Sequence, residues 1–274
     1  MLYISDLDFT LLRSDTSLSD FTKSVWNKAS KKHKLSVATA RSYTGVKELL
    51  KGLNLSEPLI LLDGVIIAKP NGEIINIASI NKELGSEIID IAKKELSIEP
   101  LIVAQGKSSE EFYYPKEPNI YQLELLKTMK NRNRIFTKGM LRAQEKNLKI
   151  VFQANEADSL ALTNALKVAF GDAIEIKRSK DPYIDCFFIT ILNPLGDKAH
   201  ALSKLEEIEN ISIDNTTVFG DSHNDIGLFE VAGTKVAVAN AIEELKQRAD
   251  IILPHTNDED GVARYIKEKL NIED

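Results

Sequence analysis

The sequence predicts an α/β protein with a central parallel sheet and an inserted α+β domain. Strand-like and helix-like runs alternate at both ends of the 274-residue chain, and the pattern changes in between. Apolar runs near the two ends also stop at aspartates, Asp6 and Asp221. Strands of an open α/β sheet deliver side chains to a ligand site at such ends. We therefore predict a discontinuous core, residues 1–78 and 192–274, and an insertion of residues 79–191.

The first third of the chain predicts a βαβα unit followed by a hairpin. The hydrophobic periodicity predicts five elements in chain order: the strand YIS, a helix around Phe21 and Val25, the strand LSVATA, a helix over 46–53 and the strand LILLDG. Pro70, Asn71 and Gly72 supply turn chemistry between two β-rich runs, so VIIAKPNGEIIN predicts a hairpin.

The insertion is predicted to hold helices near residues 82–96, 119–130 and 157–170. Short strands such as IEPLIVA, EFYY, LKIVFQA and CFFITIL separate them. The core alternation then resumes with the helix DKAHALSKLEEIE, the strand TTVFGD, the helix DIGLFEVA, the strand KVAVAN, the helix AIEELKQRA and a final strand DIILP. We expect short hinges between the two domains and a substrate that lies between them.

The composition is that of an ordinary globular protein, with 43% hydrophobic and 28% charged residues. A net charge of -6 argues against a nucleic-acid partner, because such binding relies on Lys and Arg. No apolar run approaches the roughly 18 residues that span a bilayer, and no basic stretch precedes an apolar one at the N-terminus. We expect a cytoplasmic protein without membrane contact, in which the single cysteine, Cys186, is a buried thiol.

Aspartates at the strand ends predict a metal site. Asp6 and Asp8 follow the first strand, and Asp221 follows the strand TTVFG. Carboxylates about 4 Å apart repel each other by about 1 to 4 kcal/mol, so a positive charge should offset them. Oxygen ligands without Cys or His suit Mg²⁺. We interpret these three residues as a Mg²⁺ site.

Four segments carry a family resemblance: DLDFT at 6–10, ATAR at 38–41, Lys198 at the start of a helix, and GDSHND at 220–225. Together they resemble the four motifs of the haloacid dehalogenase superfamily. The insertion, the DG at 63–64 and the ending VAVANA with ADIILPHTNDEDGVA are similar to its Cof-type branch. The resemblance implies a Rossmann-like three-layer core with a central parallel sheet. It also implies that the insertion is an α+β cap (class IIB) that sets substrate specificity.

The resemblance implies a role for each acid. Asp6 would be the nucleophile that forms an aspartyl phosphate, and Asp8 would be the general acid and base. Asp221 would bind Mg²⁺ together with Asp6 and Asp8. Asp225 would hold metal-bound water from outside the inner ligand set. For Asp6 and Asp8 the competing interpretation is a strand-end turn or helix cap, where Asp is also favoured.

The resemblance also implies a set of phosphate-binding groups: the Thr39 hydroxyl, the backbone N–H groups of Leu7 and Ala40, Lys198 and Asn224. Lys198 would also be catalytic, because it would hold the negative charges of Asp6 and the phosphate together. Three alternatives remain open: Thr39 could instead cap the helix that begins near Ser42, Lys198 could be a solvated surface lysine, and Asn224 could orient Lys198. His223 is not assigned to the metal.

The sequence departs from the family at Ala40, where Gly is frequent, and at Asp63, where Asn is frequent. Asp63 would repel a phosphate, so it turns away, pairs with a base such as Arg41, or helps to select substrate. We leave it outside the catalytic set.

The predicted function is a Mg²⁺-dependent phosphatase acting on a small phosphorylated metabolite, with a sugar phosphate as the first expectation. The alternatives are a sugar phosphomutase and a non-catalytic protein that binds a phosphometabolite. Within the cap, FYYPKEPNIYQ is interpreted as a half-exposed sheet edge and hairpin rather than a sugar pocket, and Asn193 is the residue best placed to meet a substrate. Both a monomer and a homodimer fit the sequence.

Overall fold

A computed structural model describes residues 1–107, 109–128, 134–137, 139–181 and 184–273. The chain divides into two compact units, one formed by Met1–Ile77 with Leu195–Asp274 and the other by Ala78–Pro194. The boundaries expected from the sequence, after residues 78 and 191, differ from these by a few positions.

The N-terminal part of the first unit alternates strands and helices and then turns into an antiparallel ribbon. Its elements are β1 (Leu2–Ser5), α1 (Asp20–Ala29), β2 (Lys34–Val37), α2 (Tyr43–Val46), β3 (Leu59–Leu61), β4 (Ile66–Ala68) and β5 (Ile74–Ile77). Strands β3, β4 and β5 pair antiparallel in sequence order, which gives the predicted hairpin.

The second unit packs two long helices on a mixed sheet. Its elements are β6 (Ile80–Asn81), α3 (Lys82–Leu96), β7 (Leu101–Gln105), β8 (Glu110–Tyr114), α4 (Ile120–Thr128), β9 (Arg134–Phe136), β10 (Lys146–Ala154), α5 (Glu156–Phe170), β11 (Glu175–Asp181) and β12 (Cys186–Leu192). The strand order is β11-β12-β10-β7-β8-β9. Helices α3 and α5 share a buried apolar cluster with β10 and β12, so this unit has a core of its own.

The chain then returns to the first unit and completes the central sheet. The elements are α6 (Lys198–Glu209), β13 (Thr216–Gly220), α7 (Ile226–Val231), β14 (Thr234–Ala237), α8 (Glu243–Lys246), β15 (Ile251–Ile252) and α9 (Gly261–Lys269). Strand order is β15-β14-β13-β1-β2, and all neighbours are parallel. A parallel bridge between Ala38 and Ile60 continues the sheet to β3.

The architecture explains why β1 is buried throughout and mostly apolar. All four of its residues are buried, as a strand in the middle of a parallel sheet with covered faces requires. Helix α1 packs against α9, and α6 packs against α7. The predicted α/β class with a central parallel sheet is confirmed.

Three helices differ from the sequence-based prediction. The helix expected over AIEELKQRA is limited to α8, Glu243–Lys246. The helix expected over 46–53 is shorter, because α2 ends at Val46 and the chain continues in turns to Gly52, whose φ is 97°. Helix α9 was not predicted. Its start is marked by a capping box between Thr256 and Glu259 followed by Asp260 in the left-handed region. In the described part of the chain, none of the helices has the length and apolar character needed to span a membrane.

Candidate active site

The central strands bring two sequence-distant aspartates together. Strands β1 and β13 are parallel neighbours in a register that places Ser5 beside Phe219. Asp6 follows directly after β1, and its N–H donates to the carbonyl of Phe219 at 3.0 Å. Asp221 follows directly after β13. Both carboxylates therefore emerge at the same edge of the sheet, where ligands bind in open α/β sheets.

A third carboxylate completes this cluster. One carboxylate oxygen from each of Asp6, Asp221 and Asp225 lies within 4.8 Å of the others. Asp225 is fully buried, and its Oδ2 accepts the N–H groups of Asp221 at 3.0 Å and Ser222 at 3.2 Å. A side chain on Gly220 would collide with that of Asp225, so this close approach requires glycine at position 220. The three residues are the acidic cluster referred to below.

Lys198 supplies the positive charge within the cluster. It is 1% exposed, and its Nζ lies 2.6 Å from Asp6 Oδ1 and 2.7 Å from Asp225 Oδ1. It is the first residue of α6, where the helix dipole disfavours a cation. Asp197 caps this helix by accepting the N–H of His200 at 2.8 Å. The structure excludes the solvated-lysine alternative.

Burial and the neighbouring charges together set the protonation behaviour of the cluster. Burial raises the pKa of Asp6 well above its usual range, Lys198 opposes this rise, and Asp225 adds to it. Burial works to lower the pKa of Lys198, but the carboxylates of Asp6, Asp225 and Asp63 outweigh it and raise that pKa. Burial is therefore the main cause of the shift at Asp6, and the surrounding carboxylates are the cause of the rise at Lys198.

Asp221 titrates at an unusual value for the same reason. Burial and the charge of Asp225 raise the pKa of Asp221 to about 6, although Thr10 partly opposes the rise. The hydroxyl of Thr10 donates to Asp221 Oδ1 at 3.0 Å and fixes the orientation of the carboxylate. Thr10 was noted in the sequence motif but was not assigned a role there.

The donor chemistry of the cluster fits a hard divalent cation. Its possible ligands are carboxylate oxygens, which Mg²⁺ prefers, and no Cys or His belongs to it. A divalent ion would also offset the buried negative charge that Lys198 leaves unbalanced. His223 stands apart, since its side chain is 75% exposed and lies 3.7 Å from Glu244.

The acidic cluster and the predicted set of metal ligands share Asp6 and Asp221. Asp8, the third predicted ligand, forms a two-point ion pair through its carboxylate with Arg41, at 2.7 Å from Nε and 2.6 Å from Nη2. Asp225, predicted to hold metal-bound water from outside the inner ligand set, lies within the acidic cluster. The ligand set itself stays a prediction.

The loop after β2 carries the other predicted phosphate-binding groups. Thr39 is fully buried, and its hydroxyl oxygen accepts the N–H of Arg41 at 3.1 Å. The cap of α2 is Ser42, which accepts the N–H of Gly45, so Thr39 is not the helix cap. Ala40 is exposed between them, whereas Leu7 is buried beside Asp6. Their backbone N–H groups remain predicted phosphate contacts.

Asn224 lies between two of the site loops. Its Nδ2 donates to Asp63 Oδ1 at 3.1 Å, and its Oδ1 accepts the hydroxyl of Ser222 at 2.8 Å. Asp63 therefore contacts the motif after β13, a role that was not assigned to it from the sequence. Arg41, which Asp63 was considered to pair with, binds Asp8.

The turn that carries Asp63 depends on Gly64. This residue has φ 109°, and a methyl group on it would overlap the carbonyl of Asp197. We expect Gly64→Ala to lower the free energy of unfolding by at least about 2 kcal/mol, because strain and overlap add. Gly139, which has no atom within 4 Å of its virtual Cβ, provides the matched control. Urea denaturation of both variants tests this, and equal stabilities would contradict it.

The cap residues named from the sequence have structural contacts within their own unit. Asn193 donates from Nδ2 to the carbonyl of Ser79 at 3.0 Å and so ties together the two ends of the unit. Tyr114 is fully buried and stacks on Phe136. Tyr113 donates its hydroxyl to Glu111 at 2.6 Å. Cys186 is a buried free thiol, as expected, and burial raises its pKa to about 11.

The agreement with the family motifs extends to the whole sequence. Residues 3–266 match the family described as haloacid dehalogenase-like hydrolase. The chain belongs to this family. Two Bacillus subtilis proteins, both named 5-amino-6-(5-phospho-D-ribitylamino)uracil phosphatase, are 26% and 27% identical to it over 275 and 283 residues. Each alignment covers 97% of this chain and 96% of the relative.

Solved structures share the fold over the whole chain. One from Thermotoga maritima has a TM-score of 0.78 at 24% identity and covers 100% of this chain and 97% of its own. A haloacid dehalogenase-like hydrolase from Bacteroides thetaiotaomicron has a TM-score of 0.77 at 23% identity and covers 98% of both chains. The predicted family, fold and enzyme class are thereby confirmed: this chain is a hydrolase of the haloacid dehalogenase-like family, whose named relatives are phosphatases.

Proposed function

We propose that this hydrolase is a Mg²⁺-dependent phosphatase that cleaves a small phosphorylated metabolite through a phosphoryl group carried on Asp6. The observation that carries the proposal is the buried acidic cluster with Lys198 inside it. Asp6 is 4% exposed and its Oδ1 lies 2.6 Å from the Lys198 ammonium. An enzyme that hydrolyses phosphate monoesters needs such a positioned nucleophile and strong charge neutralisation.

In the first step a carboxylate oxygen of Asp6 attacks phosphorus, and the ester P–O bond breaks. Asp8 in its acid form gives a proton to the leaving alkoxide. Lys198 holds Asp6 in place and opposes the negative charge of the phosphoryl oxygens. The hydroxyl of Thr39, the N–H groups of Leu7 and Ala40, and Asn224 would bind those oxygens.

In the second step a water molecule attacks phosphorus and releases inorganic phosphate. Asp8, now a carboxylate, takes a proton from that water, and Asp6 returns to its free form. Arg41 fixes the orientation of Asp8 through their two hydrogen bonds, of 2.6 and 2.7 Å. Splitting the reaction in this way replaces one difficult displacement by two easier ones.

Asp6 and Asp221 would hold the Mg²⁺ ion directly, and the ion would supply a positive charge that neutralises the phosphoryl oxygens. The orientation of Asp221 is fixed by Thr10. Mg²⁺ usually keeps several waters and takes only one or two protein carboxylates. Asp225, whose Oδ2 already accepts two backbone N–H groups, is therefore the cluster member best suited to orient a metal-bound water.

A sugar or sugar-alcohol phosphate is the proposed substrate class. Relatives aligned over nearly the whole chain are named for a phosphoribitylamino compound, which is the phosphate ester of a sugar alcohol. The 78–194 unit would set specificity as the cap. We expect the protein to act in the cytoplasm on this small metabolite, without a nucleic-acid or membrane partner.

Release of inorganic phosphate tests the proposal. The panel consists of sugar phosphates, nucleotides and p-nitrophenyl phosphate, each with and without Mg²⁺. A phosphatase releases free phosphate from at least one ester, whereas a sugar phosphomutase returns the phosphoryl group to a sugar and releases little. The absence of release from every ester would refute the proposal, and conversion of a sugar phosphate into its isomer would establish a mutase.

Mg²⁺ is expected to stabilise the fold at pH 8 and hardly at pH 5. The pKa values of Asp6 and Asp221 are higher in the folded protein than in the unfolded chain. Without metal, these two residues therefore stabilise the fold at low pH, where they bind protons. This stabilisation is lost as the pH rises through the folded-state pKa, which is about 6 for Asp221. Mg²⁺ replaces the protons on these carboxylates, so the stabilisation that Mg²⁺ gives increases as the pH rises. At a Mg²⁺ concentration of about 100 times its Kd, binding adds about 2.7 kcal/mol to the free energy of unfolding.

Thermal unfolding with and without Mg²⁺ at the two pH values measures this effect independently of turnover. Asp221→Asn should lose most of the Mg²⁺-dependent shift. Shifts of equal size at pH 5 and pH 8 would show that the metal binds elsewhere.

A further inference from the structure

Asp63 lies in a turn with an unusual backbone. Three successive residues, Leu62 at φ 52°, Asp63 at φ 61° and Gly64 at φ 109°, occupy the left-handed region. Bulky residues such as leucine rarely adopt this conformation, and they keep it only where surrounding contacts impose it. Such backbone outliers cluster at active sites and ligand clamps. The turn therefore points to a function for the residue that it presents.

The contacts of the turn place Asp63 among the predicted phosphate-binding loops. The N–H of Leu62 donates to the carbonyl of Arg41 at 3.0 Å, and the N–H of Asp63 donates to the carbonyl of Thr39 at 2.9 Å. On its other side, Asp63 Oδ1 accepts Nδ2 of Asn224 at 3.1 Å. The carboxylate of Asp63 is thus fixed between the loop after β2 and the loop after β13.

The cations of this region, Arg41 and Lys198, already pair with carboxylates other than that of Asp63. Arg41 forms its two-point ion pair with Asp8, and Lys198 contacts Asp6 and Asp225. Asp63 adds a further negative charge next to these groups, since its Oδ1 accepts Nδ2 of Asn224, the residue directly before Asp225. Because a phosphate is itself negative, this charge opposes binding of the reacting group and needs a compensating role.

We propose that Asp63 is a specificity-determining residue that excludes phosphate monoesters bearing a second anionic group near the phosphate and so restricts the site to esters of neutral polyols. The inference rests on the proposed phosphatase function and adds to it the class of esters that the site excludes and the residue that excludes them. Binding sites commonly achieve selectivity with a charge that repels an unwanted ligand of the same sign. The hydroxyl groups of a polyol carry no charge and are accepted beside a carboxylate.

The expected size of the discrimination follows from Coulomb's law. Two unit charges about 8 Å apart at a partly exposed site change binding by between a few-fold and about thirtyfold, depending on the effective dielectric constant. Salt screens charges separated by about a Debye length, so the discrimination should decrease as ionic strength rises. A purely structural role for Asp63 would not show this salt dependence.

The test uses a matched pair of esters, hydroxyethyl phosphate and phosphoglycolate, which differ only by an alcohol and a carboxylate. Each is used as a competitive inhibitor of p-nitrophenyl phosphate hydrolysis by the full-length, Mg²⁺-loaded protein. We expect wild type to bind hydroxyethyl phosphate more tightly by about tenfold. In Asp63→Asn the ratio should fall to about twofold or less, chiefly because phosphoglycolate binds more tightly.

Asp63→Asn is the informative variant because asparagine tolerates the left-handed backbone and its side-chain oxygen can still accept Nδ2 of Asn224. The control is Asp214→Asn, which removes one negative charge from an exposed position before the first residue of β13, at the opposite end of that strand. This variant should keep the wild-type ratio.

An inhibitor ratio that is the same in wild type and in Asp63→Asn would overturn the proposal, as would a wild-type ratio near one. Calorimetric titration of the two esters gives the ratio without turnover. A protein that binds both esters but hydrolyses nothing would therefore refute the proposed function, while the titration would still decide the role of Asp63.

Discussion

Asp6→Asn is expected to lower kcat for the best substrate by at least about 10⁴-fold, because an amide cannot act as the phosphoryl acceptor and removing a nucleophile disables the whole catalytic unit. The variant should still fold. Asn has nearly the same shape as Asp, and it removes a charge that burial and, to a smaller extent, the charge of Asp225 disfavour, as the raised pKa of Asp6 implies. The measurement is the rate of phosphate release at saturating substrate, together with the thermal midpoint.

The control for this variant is Asp20→Asn, because the side chain of Asp20 is fully exposed on α1 and forms only a 3.6 Å ion pair with Lys23. Its kcat should equal that of wild type. If a well-folded Asp6→Asn protein kept more than about one-hundredth of the wild-type rate, Asp6 would not be the nucleophile.

Lys198→Met is expected to have the second largest effect, on both activity and stability. Losing the ammonium between Asp6 and Asp225 removes one electrostatic stabiliser of the phosphoryl oxygens, which costs about 10²- to 10³-fold in kcat. It also leaves buried carboxylates without their cation, which costs about 3 to 5 kcal/mol of unfolding free energy. The cost should be smaller at pH 5, where the carboxylates of raised pKa bind protons.

Lys204→Met, on the same helix, separates this effect from a general loss of charge. Lys204 is partly exposed and pairs with Glu207 at the surface. Such pairs contribute little, so its stability should change by less than about 1 kcal/mol and its rate should not change. Equal losses in the two variants would contradict the role assigned to Lys198.

The sequence allowed the sheet and its acids to be predicted because strand order and strand ends depend on patterns that are local in the chain. The apolar run before Asp6 and the β-rich run before Asp221 became parallel neighbours. The family resemblance assigns a role to Lys198 at a helix start, and this residue is buried between two of the predicted acids. The types of residue at the predicted ends of strands and helices therefore identify much of the site.

Side-chain partners in the loops could not be predicted in the same way. Asp8 binds Arg41 and Asp63 binds Asn224, and both acids lie in loops where residues with positive φ redirect the chain after β1 and after β3. These residues are Phe9, Leu62 and Asp63, and a single sequence gives no reason to expect the left-handed region for phenylalanine or leucine. The roles of cap residues depend on substrate contacts and stay predictions.

The most direct test of the account is to trap the phosphoryl group on Asp6. Asp8→Asn should slow the second step most, because the water then lacks its base, whereas p-nitrophenol is a good leaving group that needs no acid. With Mg²⁺ and p-nitrophenyl phosphate, intact-protein mass spectrometry of Asp8→Asn should show one added phosphoryl group, and peptide mapping should place it on Asp6. The double variant with Asp6→Asn should stay unmodified. An unmodified Asp8→Asn protein, under conditions where wild type releases phosphate from the same ester, would contradict the covalent mechanism.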